Sequence, residues 1–205
     1  MLRILATLLA ALVPAVALAQ ESPEALVKRV ADEVLAVVKN DKDVANGNQA
    51  KVVALAEQKV LPHFDFERMT RLAVGKNWSQ ANDAQKQSLI KEFRTLLVRT
   101  YSSSLGQYRN QVIEVKPGKA APGDKETVVR TQIVQQGGPP IPIDYSMEKK
   151  DSGWMVYDVV IDGASLVTTY RGTFNDQVQR GGIDGLVKTL QERNAAPVPA
   201  RSAAK

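Results

Sequence analysis

The chain has 205 residues, of which 44% are hydrophobic, with a formal net charge of +5 and no cysteine. This length suits one domain, and the absence of cysteine excludes disulfide bonds and thiolate metal sites. The positive charge is mild and the basic residues form no run of five or more. This scatter argues against a nucleic-acid-binding protein.

Residues 1–19 have the pattern of a cleaved export signal. Arg3 gives a positive start, residues 4–18 are almost entirely apolar, and the A-L-A sequence at residues 17–19 is a cleavage signal. The apolar run is shorter than the about 20 residues of a membrane-spanning helix, and Pro14 interrupts it. We therefore expect an exported, soluble chain without a lipoprotein anchor, whose formal charge falls from +5 to +4 when Arg3 is removed.

The first third of the exported chain is predicted to be helical. Ser22 and Pro23 are typical of an N-cap and a first helical position, and the N-G-N sequence at residues 46–48 ends this helix. A second helix is expected to end at Pro62. Asp65 is then the predicted N-cap of a short helix that ends near Gly75.

A long amphipathic helix is predicted next. Asn82 and Gln85 have the spacing of a capping box. An apolar stripe then continues for about six turns at 3.6 residues per turn, from Leu89 through Tyr101 to Tyr108. We expect this helix to lie across a sheet and to form one wall of an apolar cavity.

Four strands are predicted after residue 110, at residues 112–116, 127–134, 141–148 and 154–161. Turn sequences separate them, so the sheet is an antiparallel meander that follows a helical half, as in α+β folds. In the last strand, alternation predicts that Met155, Tyr157, Val159 and Ile161 face inward, whereas Trp154, Asp158 and Asp162 face outward.

The chain is predicted to turn at Gly163 into an amphipathic helix. Leu166, Val167, Tyr170 and Phe174 recur at helical spacing up to about residue 180, and a last short helix follows the Gly181-Gly182 pair. Residues 194–205 are predicted to be a disordered tail. The domain boundaries are therefore 1–19 for the signal, 20–193 for one domain and 194–205 for the tail.

Candidate catalytic groups are few. His63 is the only histidine, so no multi-histidine metal site exists, and Asp65 is better explained as a cap. Asp158 and Asp162 would lie about 13 Å apart along a strand, too far for a glycosidase pair. Arg171 either forms an ion pair or contacts a phosphate, and the five tyrosines either fill a core or surround a pocket.

The stretch from Trp154 to Phe174 resembles the signature W-x-V-Y-D-V-x-I-x-G-x-S-L-V-x-x-Y-R-x-x-F of the MlaC-like periplasmic phospholipid-shuttle family, also called the toluene-tolerance family. The resemblance extends to Phe64-Asp65-Phe66, to Leu72-Ala73-Val74-Gly75-Lys76 and to Gly182-Ile183-Asp184-Gly185-Leu186, and it covers residues 22–192. One departure is Ala164, where the family often has valine.

The resemblance implies an NTF2-like α+β cone, in which a curved antiparallel sheet of about four strands and several helices enclose a deep apolar cavity. It also implies a periplasmic monomer that carries one phospholipid between an outer-membrane lipoprotein–porin complex and an inner-membrane ABC transporter with an MCE-domain ring. Such a protein is not an enzyme and needs no metal or other cofactor.

The predicted walls of the lipid site combine this resemblance with the apolar faces. For two acyl chains we expect a cavity near or above about 1,000 Å³, the upper end for small-molecule sites. The expected lipid-binding residues are Tyr101, Leu105, Ile141, Ile143, Tyr145, Tyr157, Val159, Ile161, Leu166, Val167 and Tyr170.

Two alternatives remain open. The first is an NTF2-like periplasmic enzyme acting on a small apolar substrate, which needs an Asp or His base inside the cavity. Asp158 and Asp162 would supply one only if the predicted strand register were shifted by one residue. The second is a structural adaptor of the cell envelope, in which the same apolar residues fill a solid core.

Overall fold

The computed structural model describes residues 21–105, 111–118, 121, 123–135 and 137–196, without the side chains of residues 103–105. The predicted signal at residues 1–19, Tyr108 of the predicted helical stripe and residues 197–205 of the predicted tail lie outside these ranges. The architecture is α+β: a helical half is followed by an antiparallel sheet and a further helix. The predicted fold class is thus confirmed.

The α-helices begin at the caps that the sequence predicts. The Ser22 side chain accepts a hydrogen bond from the Ala25 amide at 3.1 Å, and Asn82 and Gln85 exchange the two bonds of a capping box. The helices are α1 (Pro23–Asn40), α2 (Lys42–Ala45), α3 (Gln49–Leu55), α4 (Phe66–Val74), α5 (Asp83–Leu105) and α6 (Leu166–Ala195).

The predicted second helix is helical up to Pro62, but its second half is not an α-helix. Helix α3 passes into a π turn (Ala56–Val60) and then into a 3₁₀ turn (Leu61–His63). Pro62 explains the change, because it has no amide proton and its ring collides with the preceding turn of an α-helix. The chain then runs along β4, where the amide of Asp65 donates to the carbonyl of Val156 at 2.8 Å.

The sheet consists of β1 (Val112–Val115), β2 (Glu126–Val134), β3 (Ile141–Lys150), β4 (Gly153–Ile161) and β5 (Ala164–Ser165), in that spatial order, with every pair antiparallel. The four predicted strands are present, and β5 is an addition. Asp162 (φ +49°) and Gly163 (φ +80°) form the two-residue turn of this last hairpin, and Asp-Gly is a sequence suited to positive φ at both positions.

The predicted faces of β4 are wrong in its first half. Met147 of β3 lies opposite Val156, whereas the preceding residue Ser146 lies opposite Asp158, so Tyr157 is the extra residue of a β-bulge. The bulge shifts the alternation by one residue. Trp154 and Val156 are consequently buried with Val159, and Tyr157 turns away from them.

Helix α6 bends at Gly182, whose φ of +65° interrupts the helix where the glycine pair predicts a junction. The second segment continues to Ala195, two residues beyond the predicted end of the domain at residue 193. The Asn194 side chain donates a hydrogen bond to the carbonyl of Glu92 at 2.9 Å, which fixes this end of α6 to α5.

The apolar core has three parts. Helices α4, α5 and α6 share a helical core around Phe93, which contacts Tyr170 and Phe174 edge-on at ring distances of 5.1 Å. The sheet core joins α1 to β2, β3 and β4, and a small third cluster joins α1, α2 and α3. Of the helices in the described part of the chain, none has both the length and the apolar character required to cross a bilayer.

Candidate functional site

An apolar cavity of about 450 Å³, here called the main cavity, lies between the sheet and the helices that precede it. This volume is in the lower half of the range for small-molecule sites, about 300–1,000 Å³, and below our expectation from two acyl chains. Seven predicted site residues line it: Tyr101, Ile141, Ile143, Tyr145, Val159, Ile161 and Leu166.

Three predicted site residues lie elsewhere. The bulge places Tyr157 against Arg68, with its ring 3.7 Å from the guanidinium carbon. Val167 and Tyr170 belong to the helical core, because only the first residue of their stripe, Leu166, is at the cavity end of α6. The side chain of Leu105 lies outside the described residues.

Sequence reasoning missed the segment from Ala56 to Met69. Its apolar residues reach the main cavity because the π and 3₁₀ turns carry the chain across the sheet. The apolar residues on both sides of Pro62, in K-V-L-P-H-F-D-F, were a usable signal. The lining residues missed are Ala56, Val60, Leu61, Phe64, Phe66 and Met69 from this segment, with Leu97, Val98 and Ile133.

One end of the main cavity carries uncharged polar side chains. Gln135 follows β2 and Gln111 precedes β1, so both lie at the end of the sheet where β3 begins with Ile141. Ser102 on α5 lies at the same cavity and accepts a hydrogen bond from the Gln49 amide at 2.9 Å. Ser102 is buried, so we call only the partly exposed Gln111 and Gln135 the rim.

A second apolar cavity of about 130 Å³, the inner cavity, lies between α1 and the sheet core. Leu26, Val30 and Ala31 line it from α1, and Met147 and Val156 line it from the sheet. It shares Val60, Phe64 and Tyr145 with the main cavity.

Charged side chains close the end of the sheet opposite the rim. Arg68 on α4 forms ion pairs of 2.7 Å with Glu126 at the start of β2 and with Glu148 near the end of β3. Lys150 pairs with Asp65. Burial lowers the pKa of Arg68, but its bonds to the two glutamates hold that pKa above its usual value. These pairs tie α4 to two strands.

Aspartate and arginine side chains near the turn into α6 have structural roles. Asp158 accepts hydrogen bonds from the Ser165 hydroxyl at 2.6 Å and the Val167 amide at 3.1 Å, which stabilises the turn into α6. Arg171 pairs with neither aspartate, because it donates to the carbonyl of Leu72 near the end of α4 at 2.9 Å. Asp158 is thus engaged in this turn and is not among the described residues that line either cavity.

His63 borders the inner cavity rather than the main one. Burial, and then the charge of Arg29, lowers the pKa of its imidazole. Among the described residues, no group of three histidine, aspartate or glutamate side chains is placed to hold a metal ion. None of the described residues that line the main cavity is acidic, basic or a histidine.

The fold and the site together define a class: an α+β protein that encloses an apolar cavity beneath an uncharged polar rim. The chain belongs to the MlaC family, because the family described as "MlaC protein" matches residues 28–192.

Several relatives are similar over most of their length. The intermembrane phospholipid transport system binding protein MlaC of Haemophilus influenzae is 24% identical over 93% of this chain and 91% of its own length. The toluene tolerance protein ttg2D of Pseudomonas putida is 28% identical over 86% of this chain and 82% of its own.

A solved structure is similar in both fold and sequence. It is the phospholipid-binding protein of Ralstonia solanacearum, solved in complex with a phospholipid. It is 44% identical to this chain, has a TM-score of 0.79, and the match covers 84% of this chain and 96% of that one.

Proposed function

We propose that this protein is a periplasmic phospholipid carrier that holds acyl chains in the main cavity and the headgroup at the rim. The observation that carries the proposal is the apolar cavity itself, in a chain 44% identical to a phospholipid-binding protein solved with its lipid. An apolar wall is what acyl chains need, since they offer no polar group to pair.

The size of the cavity sets what it can hold. We take about 30 Å³ for each methylene group, which is about the volume of one water molecule in the liquid. The main cavity then has room for about fifteen methylene groups, or about one acyl chain. Burying fifteen groups favours binding by about 12 kcal/mol before the costs of association. To hold both chains of a diacyl lipid, the sheet and the helices must therefore move apart at the rim. The ion pairs of Arg68 keep the sheet and α4 together at the end opposite the rim.

The rim favours a headgroup outside the cavity. The amide side chains of Gln111 and Gln135 can donate hydrogen bonds to phosphate oxygens without the charge that would select one headgroup. The pairs formed by Arg68 and Lys150 lie at the other end of the sheet and are committed to carboxylates.

The carrier role extends to transport across the periplasm. The name of the Haemophilus relative supports this proposal, as does the predicted export signal at residues 1–19. The proposed partners are an outer-membrane lipoprotein–porin complex and an inner-membrane ABC transporter with an MCE-domain ring. We infer a monomer that acts by binding and release rather than by catalysis. The Haemophilus and Ralstonia relatives support this, since their names describe binding proteins.

A transfer assay tests the proposal. Donor vesicles that contain a radiolabelled phospholipid are incubated with the purified protein, removed by centrifugation, and replaced by unlabelled acceptor vesicles. We expect label to follow the protein into the supernatant and then into the acceptor vesicles. A folded protein that neither removes label from the donors nor delivers it would contradict the carrier role.

A further inference from the structure

The two apolar cavities lie in series along one face of the sheet. On β3, Ile141 and Ile143 line the main cavity, Met147 lines the inner cavity, and Tyr145 between them lines both. On β4, Val159 lines the main cavity and Val156 lines the inner one. Along β3 and β4 the inner cavity therefore lies farther from the rim than the main cavity, whereas on β1 it reaches Ile113, which is level with Ile141.

Three residues, Val60, Phe64 and Tyr145, line both cavities and therefore lie between them, and Phe64 is held by backbone and ring contacts. Its backbone amide donates to the carbonyl of Leu61 at 3.1 Å, and the next amide, of Asp65, donates to Val156 at 2.8 Å. The Phe64 ring packs against both the helical core and the sheet core, and stacks on Phe66 at 5.9 Å. The amide bonds fix the backbone at Phe64, and the ring contacts keep its side chain between the two cavities that it lines.

We propose that Phe64 is a specificity-determining residue that sets the upper limit of acyl-chain length by forming the floor of the main cavity. The inference rests on the proposed function, in which the main cavity holds acyl chains. The inner cavity behind this floor has room for about four further methylene groups at about 30 Å³ each. Opening the floor should therefore lengthen the chain that binds best.

The test compares Phe64→Ala with Tyr101→Ala, a matched control. Both residues are partly buried aromatic residues that line the main cavity, but Tyr101 does not line the inner one and is not among the residues that stack on Phe64. Each variant is loaded from vesicles containing a homologous series of saturated phosphatidylethanolamines whose chains differ by two carbons, and the bound species are quantified by mass spectrometry. In Phe64→Ala we expect roughly fourfold enrichment for each added methylene that becomes buried, up to about four methylenes.

In Tyr101→Ala the main cavity becomes wider but not deeper, so the preferred chain length should stay that of the unsubstituted protein. An equal shift in both variants, or no shift in Phe64→Ala, would overturn the proposal. If Phe64→Ala does not fold, Phe64→Leu replaces it, with a smaller shift expected in the same direction.

A second substitution tests the route of the longer chain. Ala31 on α1 lines only the inner cavity, so Ala31→Phe should fill that space. In the double variant Phe64→Ala with Ala31→Phe, we expect the preference for longer chains to revert. Retention of the longer chains would refute the proposed path. Failure of the proposed function would differ from both results, because the unsubstituted protein would then take up none of the phosphatidylethanolamines.

Discussion

Val159→Trp tests whether the main cavity is the lipid site. Val159 is buried on β4 opposite Tyr145, and its side chain lines the main cavity. Tryptophan at this position would project its indole into the space that we assign to an acyl chain. The substitution therefore competes with the ligand for the main cavity, at a residue that also belongs to the sheet core.

The expected effect on binding is larger than the effect on folding. The added indole volume displaces about three methylene groups at about 30 Å³ each, which costs about 2.4 kcal/mol of binding, or roughly sixtyfold in affinity. Overpacking a solid core typically costs 1–3 kcal/mol of folding stability. We expect about 1 kcal/mol here, because the cavity of about 450 Å³ takes up the ring.

The assay measures lipid phosphate per chain after loading from vesicles, with urea unfolding measured in parallel. Val160→Trp is the matched control, since Val160 is the next residue on β4, is only half-buried and lines neither cavity. We expect normal loading in Val160→Trp and strongly reduced loading in Val159→Trp. A folded Val159→Trp variant that loads as much lipid as the control would refute the assignment of this cavity.

Three further substitutions test the forces that hold the fold. Burial would raise the pKa of Asp65, but the Arg68 amide and Lys150 hold it below its usual value, so Asp65→Asn should lower the free energy of unfolding by about 1 kcal/mol at neutral pH, measured with urea. This difference should vanish as the pH falls below about 3.9, through the pKa of the folded state. Asn82→Ala removes one bond of the capping box and should cost about 1 kcal/mol in thermal unfolding. Phe93→Ala removes a fully buried ring and should cost about 3–5 kcal/mol, measured with urea.

Each of these expectations has a contrary outcome. An Asp65→Asn difference that grows in acid would show that the carboxylate destabilises the native state. Asp83→Asn leaves both bonds of the capping box in place, so an equal loss in this control would remove the box as the cause. A loss below about 1 kcal/mol in Phe93→Ala would mean that the helical core repacks around the missing ring.

The sequence predicted those parts of the fold that depend on neighbouring residues, such as helix caps and the alternation along a strand. The cap at Asp65 and the capping box of α5 each join residues that are three positions apart in the sequence. Both are present in the structure. Apolar residues alternate regularly along the sequence of β3, so its inward face was predictable, and Ile141, Ile143, Tyr145 and Met147 all line a cavity. The faces of β4 were not predictable. The bulge at Tyr157 arises from the pairing of β4 with β3, and no residue pattern within β4 indicates it.

The site was predictable only in part, because a cavity wall and a solid core use the same side chains. Leu166 and Tyr170 lie on one apolar stripe, yet the first faces the main cavity and the second packs on Phe93. Phe64 reaches the cavities through the turns that precede it and through its bridge to Val156. That contact joins positions far apart in the sequence and leaves no periodic pattern.

Extraction of the purified protein tests the central claim most directly. The exported chain is purified without detergent, extracted with organic solvent, and the extract is analysed by mass spectrometry against the protein concentration. The carrier account predicts one diacyl phospholipid per chain. A folded protein that yields no lipid, and that also fails to take up added phospholipid, would contradict it.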